Sequence, residues 1–133
     1  MFVPRGQFGM ARYRSVDLAS RIEGASPHQL VQIMFDEAVK ALETMAVAAE
    51  KGDYVQRGLR QSRALSIIHG LEGSLDHQQG GDIAAGLAAI YREARRLAIA
   101  GGRDNDPAMI RKAGEMLGDI AGAWQAIGER GAA

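Results

Sequence analysis

The chain has 133 residues, of which 47% are apolar and 24% are charged, a composition typical of one globular domain. Sixteen acidic and sixteen basic side chains cancel, so no general attraction to nucleic acid or anionic lipid is expected. The absence of cysteine excludes disulfides, thiolate metal sites and cysteine nucleophiles, and no apolar run is long enough to span a bilayer.

The first 20 residues are predicted to form a tail that is mobile or loosely docked on the rest of the chain. They mix glycine, arginine and scattered apolar residues without a helical period. Arginines interrupt every apolar run before residue 25, so no signal peptide is predicted and we expect a cytoplasmic protein. Residues 21–130 are predicted to form the folded domain.

A first helix is predicted over residues 27–51. Ser26 is suited to cap its start, Pro27 to occupy its first position, and Gln29 to complete a capping box, while Gly52 is suited to end it. One stripe of apolar side chains is enough to join a helical bundle, so a second stripe indicates a further binding surface. The two adjacent stripes are Leu30, Met34, Ala38, Ala41 and Met45, and Val31, Phe35, Leu42 and Ala46.

Two further helices are predicted over residues 54–76 and 83–100. Asp53 and Gln56 repeat the capping-box spacing at the start of the second helix. Residues 77–81 are predicted to be a polar connection, Asp82 to cap the third helix, and the glycines at 101 and 102 to end it. The inward side of the second helix is predicted to contain Val55, Leu59, Leu65, Ile68, Leu71 and Leu75.

A fourth helix is predicted over residues 107–127, starting at Asp106-Pro107 and ending before Gly128. Its apolar residues recur every three or four positions, as in a bundle helix. No strand-type alternation competes anywhere, and short connections favour antiparallel neighbours. The predicted fold is therefore all-α: an antiparallel up-down four-helix bundle with the short N-terminal segment packing on it.

No catalytic, cofactor or metal site is predicted, and an enzyme is not expected. His28, His69 and His77 lack a carboxylate or a second histidine one turn away, and no Glu-x-x-His motif of a di-metal bundle is present. Arginines cluster at 57, 60 and 63 and at 92, 95 and 96. With zero net charge and no interleaved aromatic residues, they indicate solvated helix faces rather than a nucleic-acid site.

Three glycines recur every four residues along the fourth helix, at Gly114, Gly118 and Gly122. Each lowers helix stability by roughly 1 kcal/mol relative to alanine, so a contact that compensates for this loss is expected along their line. They either reflect a glycine-rich composition or line a shallow groove for a partner helix, and the sequence leaves both interpretations open.

Several segments together carry a resemblance to a known family. They include the Ser26 to Leu30 motif followed by Met34-Phe35-Asp36, the Gly52-Asp53 pair, Asn105-Asp106 and Ala123-Trp124. Two more are Ala64 to Ile68 and Gly80 to Ala84. In this order and spacing, from about Met10 to Ile127, the chain resembles the cytoplasmic flagellin export chaperones of the FliS family.

The resemblance implies a chaperone that binds the disordered C-terminal region of flagellin, prevents premature polymerisation and helps deliver flagellin to the membrane export gate. It also implies that the N-terminal tail contributes to binding. The alternative is a helical structural module that dimerises through its second stripe. The residues expected to contact the partner are Met10, Tyr13, Leu30, Val31, Met34, Phe35, Ile67, Leu71, Gly118 and Gly122.

Overall fold

The computed structural model describes residues 17–132, and every regular element in that range is a helix. The predicted all-helical class is therefore confirmed for this part of the chain. A short helix, α1, is described over residues 17–23 and overlaps the end of the predicted tail, whereas Met10 and Tyr13 lie outside the described residues. The other helices are α2 (Pro27–Lys51), α3 (Tyr54–Gly73), α4 (His77–Arg103) and α5 (Pro107–Ala132).

The start of α2 is fixed by the predicted capping box. The Gln29 backbone N–H donates to Ser26 Oγ at 3.1 Å, and the Ser26 backbone N–H donates to Gln29 Oε1 at 2.9 Å. Pro27 occupies the first helical position, where no N–H partner is needed. At the other end, Gly52 adopts a left-handed conformation with φ 70°, which a residue without a Cβ tolerates.

Replacing Ser26 with alanine is expected to lower the free energy of unfolding by about 1 kcal/mol, because two backbone donors at the α2 start depend on the capping box. Denaturant unfolding followed by far-UV circular dichroism measures this loss. Ser26→Asp is the matched control, since aspartate also caps helices, and it should retain most of the stability. Equal losses in both variants would contradict the capping role.

The connection between α3 and α4 is shorter than predicted. Asp76, rather than Asp82, is the N-cap of α4, and its Oδ1 accepts hydrogen bonds from the backbone N–H groups of Gln78 and Gln79 at 3.1 and 3.0 Å. Residues predicted as a loop therefore form a first helical turn. That turn meets the rest of α4 at a kink at Gly81, whose φ of 48° and ψ of −122° are not helical.

Glycines predicted to end helices lie inside them instead. The helix α4 continues through Gly101 and Gly102, and α5 continues through Gly128. A Cβ at Gly101 would lie 2.7 Å from Ile110 Cγ1, and one at Gly102 would lie 2.5 Å from Gln61 Oε1. These two glycines thus allow neighbouring helices to approach α4 closely, which explains why glycine stands at these positions inside the helix.

Contacts between helices define which elements are neighbours. Helix α2 packs against α3 and α5, and α4 packs against the same two helices. Gln32 Nε2 donates to the Ala121 carbonyl at 3.3 Å, whereas Arg111, ten residues earlier on α5, pairs with Glu43 at 3.3 Å, so α2 and α5 run antiparallel. Position 61 of α3 approaches position 102 of α4, and Glu72 pairs with Arg95, so α3 and α4 are also antiparallel.

Both apolar stripes of α2 contribute to one core, which overturns the expectation that one stripe would be left for a partner. The physical reason is that α2 has two neighbouring helices, α3 and α5, and each covers one side of it. Leu30, Val31 and Met34, at the start of α2, keep partial exposure. The largest fully buried side chains are Phe35, Leu42, Met45, Ile68, Leu71, Ile110 and Leu117.

Two residues predicted to face inward on α3 face solvent. Val55 is 74% exposed and Leu59 is 59% exposed. Leu65 follows Leu59 by six residues, and at about 100° per residue it lies on another face of the helix. Val55 and Leu59 therefore could not share a side with Ile68 and Leu71. The prediction for Val55 and Leu59 was therefore wrong.

Candidate partner-binding surface

The described candidates divide by burial into core and surface residues. Phe35 and Leu71 are 1% and 0% exposed, so they support the fold and present no surface to a partner. Leu30 and Gly122 are exposed. The remaining candidates are half-buried: Val31, Met34, Ile67 and Gly118.

A first group of candidates lies along the seam between α2 and α3. Met34 approaches α3 closely, since a Cβ at Gly70 would lie 2.9 Å from Met34 Cε. Ile67 precedes Gly70 by one turn on the same side of α3, and Leu30 precedes Met34 by one turn on α2. Met34 and Ile67 also pack against the core. This seam therefore presents partly covered apolar side chains, here named the α2–α3 seam: Leu30, Met34 and Ile67.

Of the two glycine candidates, Gly118 lines a shallow groove between α2 and α5 with a volume of about 340 Å³, and Gly122 follows it by one turn on α5, outside that lining. A Cβ added at Gly118 or at Gly122 would meet no atom within 4 Å, so no neighbouring helix closes this line of glycines. Gly114 differs, because its Cβ would make ordinary contact with Leu42 at 3.6 Å. We name this surface the glycine groove, and its lining is Val39, Glu43, Arg111, Gly114, Glu115, Gly118 and Asp119.

Charge at the glycine groove is mostly negative. Among the described residues of its lining, Arg111 is the only basic side chain, and its guanidinium bonds to Glu50 and, at 3.3 Å, to Glu43. These hydrogen bonds raise the pKa of Arg111 above its usual range, and the bond to Glu50 has the larger effect. The carboxylates of Glu115 and Asp119, both on α5, also line the groove. An apolar partner helix with basic flanking residues would match this arrangement.

The α2–α3 seam and the glycine groove lie on different sides of α2, so the sequence candidates do not form one continuous patch. The structure also exposes an apolar cluster that sequence reasoning missed, at the start of α3. Tyr54 is 61% exposed there, beside Val55 and Leu59. The six-residue step between Leu59 and Leu65 is the signal that could have revealed it.

Within residues 17–132, no helix is both long and apolar enough to cross a membrane. In the same range, no group of three or more histidine, aspartate and glutamate side chains is placed to hold a metal ion.

Comparison with known proteins gives a consistent result. The family described as "Flagellar protein FliS" matches residues 9–131. The flagellar secretion chaperone FliS of Salmonella typhimurium is 37% identical over 120 residues, which cover 90% of this chain and 89% of the relative. FliS of Vibrio cholerae is 32% identical over 115 residues, covering 86% and 85%. The flagellar secretion chaperone FliSB of Pseudomonas aeruginosa is 25% identical over 118 residues, covering 89% and 94%.

Proposed function

The chain belongs to the FliS family, and from this premise we propose that it is a cytoplasmic chaperone for the disordered C-terminal segment of flagellin. Bound in this way, flagellin is kept from premature polymerisation and is delivered to the cytoplasmic domain of the membrane export gate. The observation that carries the proposal is the family match over almost the whole chain, joined by relatives whose names are flagellar secretion chaperone. The protein acts without a cofactor and without enzymatic activity.

The proposed architecture is an antiparallel up-down four-helix bundle formed by α2 to α5, which begin within the predicted domain of residues 21–130 and extend beyond it to Ala132. The support is that each of these helices packs against two of the others, with antiparallel direction for α2 and α5 and for α3 and α4. The N-terminal tail of residues 1–20 is proposed to pack on this bundle. In such a bundle, the seams between neighbouring helices are the available grooves for a partner helix.

The proposed mechanism is competitive burial of flagellin's assembly surfaces. A segment that folds on binding must bury enough apolar surface to offset its loss of conformational freedom. The α2–α3 seam and the glycine groove offer two separate places for helical parts of such a segment. Val31 extends the apolar surface at the start of α2, and Met10 and Tyr13, outside the described residues, are proposed contacts on the family resemblance alone.

A self-associating helical module is the alternative, and the exposed cluster of Tyr54, Val55 and Leu59 is the observation that favours it. Light scattering of the purified protein, with and without a peptide of flagellin's C-terminal segment, separates the two functions. The chaperone proposal predicts a mass increase that corresponds to bound peptide. A stable dimer whose mass is unchanged by the peptide would contradict it.

A further inference from the structure

The first turn of α2 and the last turns of α5 are joined by a stacked pair of rings. The His28 imidazole and the Trp124 indole lie with centroids 4.4 Å apart and planes within 5° of parallel. Trp124 Nε1–H also donates to the backbone carbonyl of His28 at 2.9 Å. Both the ring and the backbone of His28 therefore hold Trp124, and with it the end of α5, against the start of α2.

The Nε2 atom of the His28 ring is enclosed by protein atoms. His28 Nε2 is buried and has no hydrogen-bond partner among the described residues. Gly128, one turn beyond Trp124, packs directly over it, and a Cβ at that position would collide with the imidazole. One turn further along α2, Gln32 Oε1 is likewise buried and unpartnered in the described chain. The contact is thus closely packed but leaves polar atoms unsatisfied, which is uncommon in folded proteins.

This packing accommodates a neutral imidazole better than a charged one. A neutral ring can leave Nε2 without a proton, whereas an imidazolium carries an N–H donor on both nitrogens. A charged donor buried without an acceptor is strongly unfavourable. A second ring proton on His28 would therefore weaken this contact.

The structure also provides a place for the charged ring to move. A groove of about 730 Å³ opens beside His28, between the start of α2 and the end of α5. Among the described residues of its lining, Glu129 of α5 carries a carboxylate, and Gln125 Nε2 donates to Glu129 Oε1 at 3.3 Å. On α2, Asp36 accepts from Gln32 Nε2 at 3.1 Å, but it lies two turns beyond His28 and outside this lining. The Glu129 carboxylate would attract an imidazolium that entered the groove.

We propose that His28, Trp124 and Gly128 form a proton-sensitive latch between α2 and α5. With a neutral His28, the latch is closed and the last turns of α5 are held on α2. With a protonated His28, the ring leaves the stack for the groove beside Glu129, and residues 125–129 separate from α2. The change reaches the core through neighbouring rings. The Trp124 ring packs edge-on against Phe35 with centroids 6.2 Å apart, and the Phe35 and Tyr91 ring centroids are 6.3 Å apart.

Trp124 is the only tryptophan in the chain, so its fluorescence reports the latch directly. In the full-length protein, the emission should change in one sigmoidal step as the pH falls from about 8 to about 5. Over the same range, the protection factors of the backbone amides of residues 125–129, which correct for the intrinsic pH dependence of exchange, should fall about tenfold, as expected for local opening. The amides in the middle of α2 should retain their protection.

The matched variant is His28→Phe, which keeps an aromatic ring against Trp124 but cannot gain a proton. It retains His69 and His77, so any step caused by those exposed histidines would persist. For this variant we expect a flat fluorescence profile and unchanged protection factors, and His28→Gln serves in its place should the phenylalanine variant fail to fold. A step of the same size in the variant, or a step in the parent protein without a loss of protection at residues 125–129, would overturn the latch.

Discussion

Replacing Phe35 with alanine is expected to lower the free energy of unfolding by about 3–5 kcal/mol, a large part of a domain's usual stability. The Phe35 ring is 1% exposed and contacts the rings of Tyr91 on α4 and Trp124 on α5. Truncation would therefore remove contacts among three helices and leave a cavity where they meet. Denaturant unfolding followed by far-UV circular dichroism measures the loss.

Leu30→Ala is the matched control, because Leu30 lies on the same helix but is 36% exposed. Its expected loss is below about 1 kcal/mol, since little buried volume is removed. Equal losses for the two variants would contradict the assignment of Phe35 to the core and Leu30 to the α2–α3 seam. A loss below about 1 kcal/mol for Phe35→Ala would contradict it as well.

Replacing Gly118 with leucine is expected to weaken binding of flagellin's C-terminal segment by about tenfold or more, or about 1.4 kcal/mol. The new side chain would occupy the glycine groove, where a Cβ at this position meets no atom of the chain. Folding should not suffer, because leucine favours a helix over glycine by roughly 0.5–1 kcal/mol. Titration with the peptide and thermal unfolding measure the two effects separately.

Gly86→Leu provides the control for this change. Gly86 is likewise a helical glycine with open space at its Cβ, but it lies on α4, away from the glycine groove. It should gain similar helix stability and leave the affinity unchanged. If Gly118→Leu binds as tightly as the parent protein, or if Gly86→Leu weakens binding equally, the glycine groove is not the binding surface.

The helix starts could be predicted because they depend on neighbouring residues. Ser26 and Gln29 form the capping box that their spacing predicts, and the Asp53 side chain accepts from the backbone N–H of Gln56 as expected for a cap. Some motifs of the family resemblance have similar local roles. Asn105, for example, accepts from Arg57 Nη1 at 2.8 Å and donates to the Ala49 carbonyl at 3.2 Å, which links three segments of the chain.

Gly52 ends α2 as predicted, but the other glycines predicted to end helices do not, because the deciding contacts are distant in sequence. Gly101 and Gly102 match the local pattern of a helix stop, yet they lie inside α4, against Ile110 and Gln61. Gly128 likewise lies inside α5, against His28. In each case the missing Cβ allows close packing with a residue on another helix. The residues around each glycine in sequence do not indicate which residue of another helix will pack against it.

The division between core and surface was predictable only in part. Periodicity identified the apolar faces of α2, but it could not tell that α3 and α5 would cover both stripes and bury Phe35. Leu30 is exposed and Met34 half-buried although Ile33 and Phe35 beside them are buried, so the side of α2 on which each lies decides its burial. The open space at Gly118 depends on the spacing between α2 and α5, which no single-helix pattern contains.

The most direct test of the proposed chaperone function is calorimetric titration of the purified protein with flagellin's C-terminal segment. We expect saturable binding with a dissociation constant of about 1 µM or tighter and a negative heat-capacity change, the sign of apolar burial. Flagellin's N-terminal segment, titrated in parallel, should give no saturable heat. Absence of binding to the C-terminal segment, or equal binding to both segments, would contradict the proposed chaperone function.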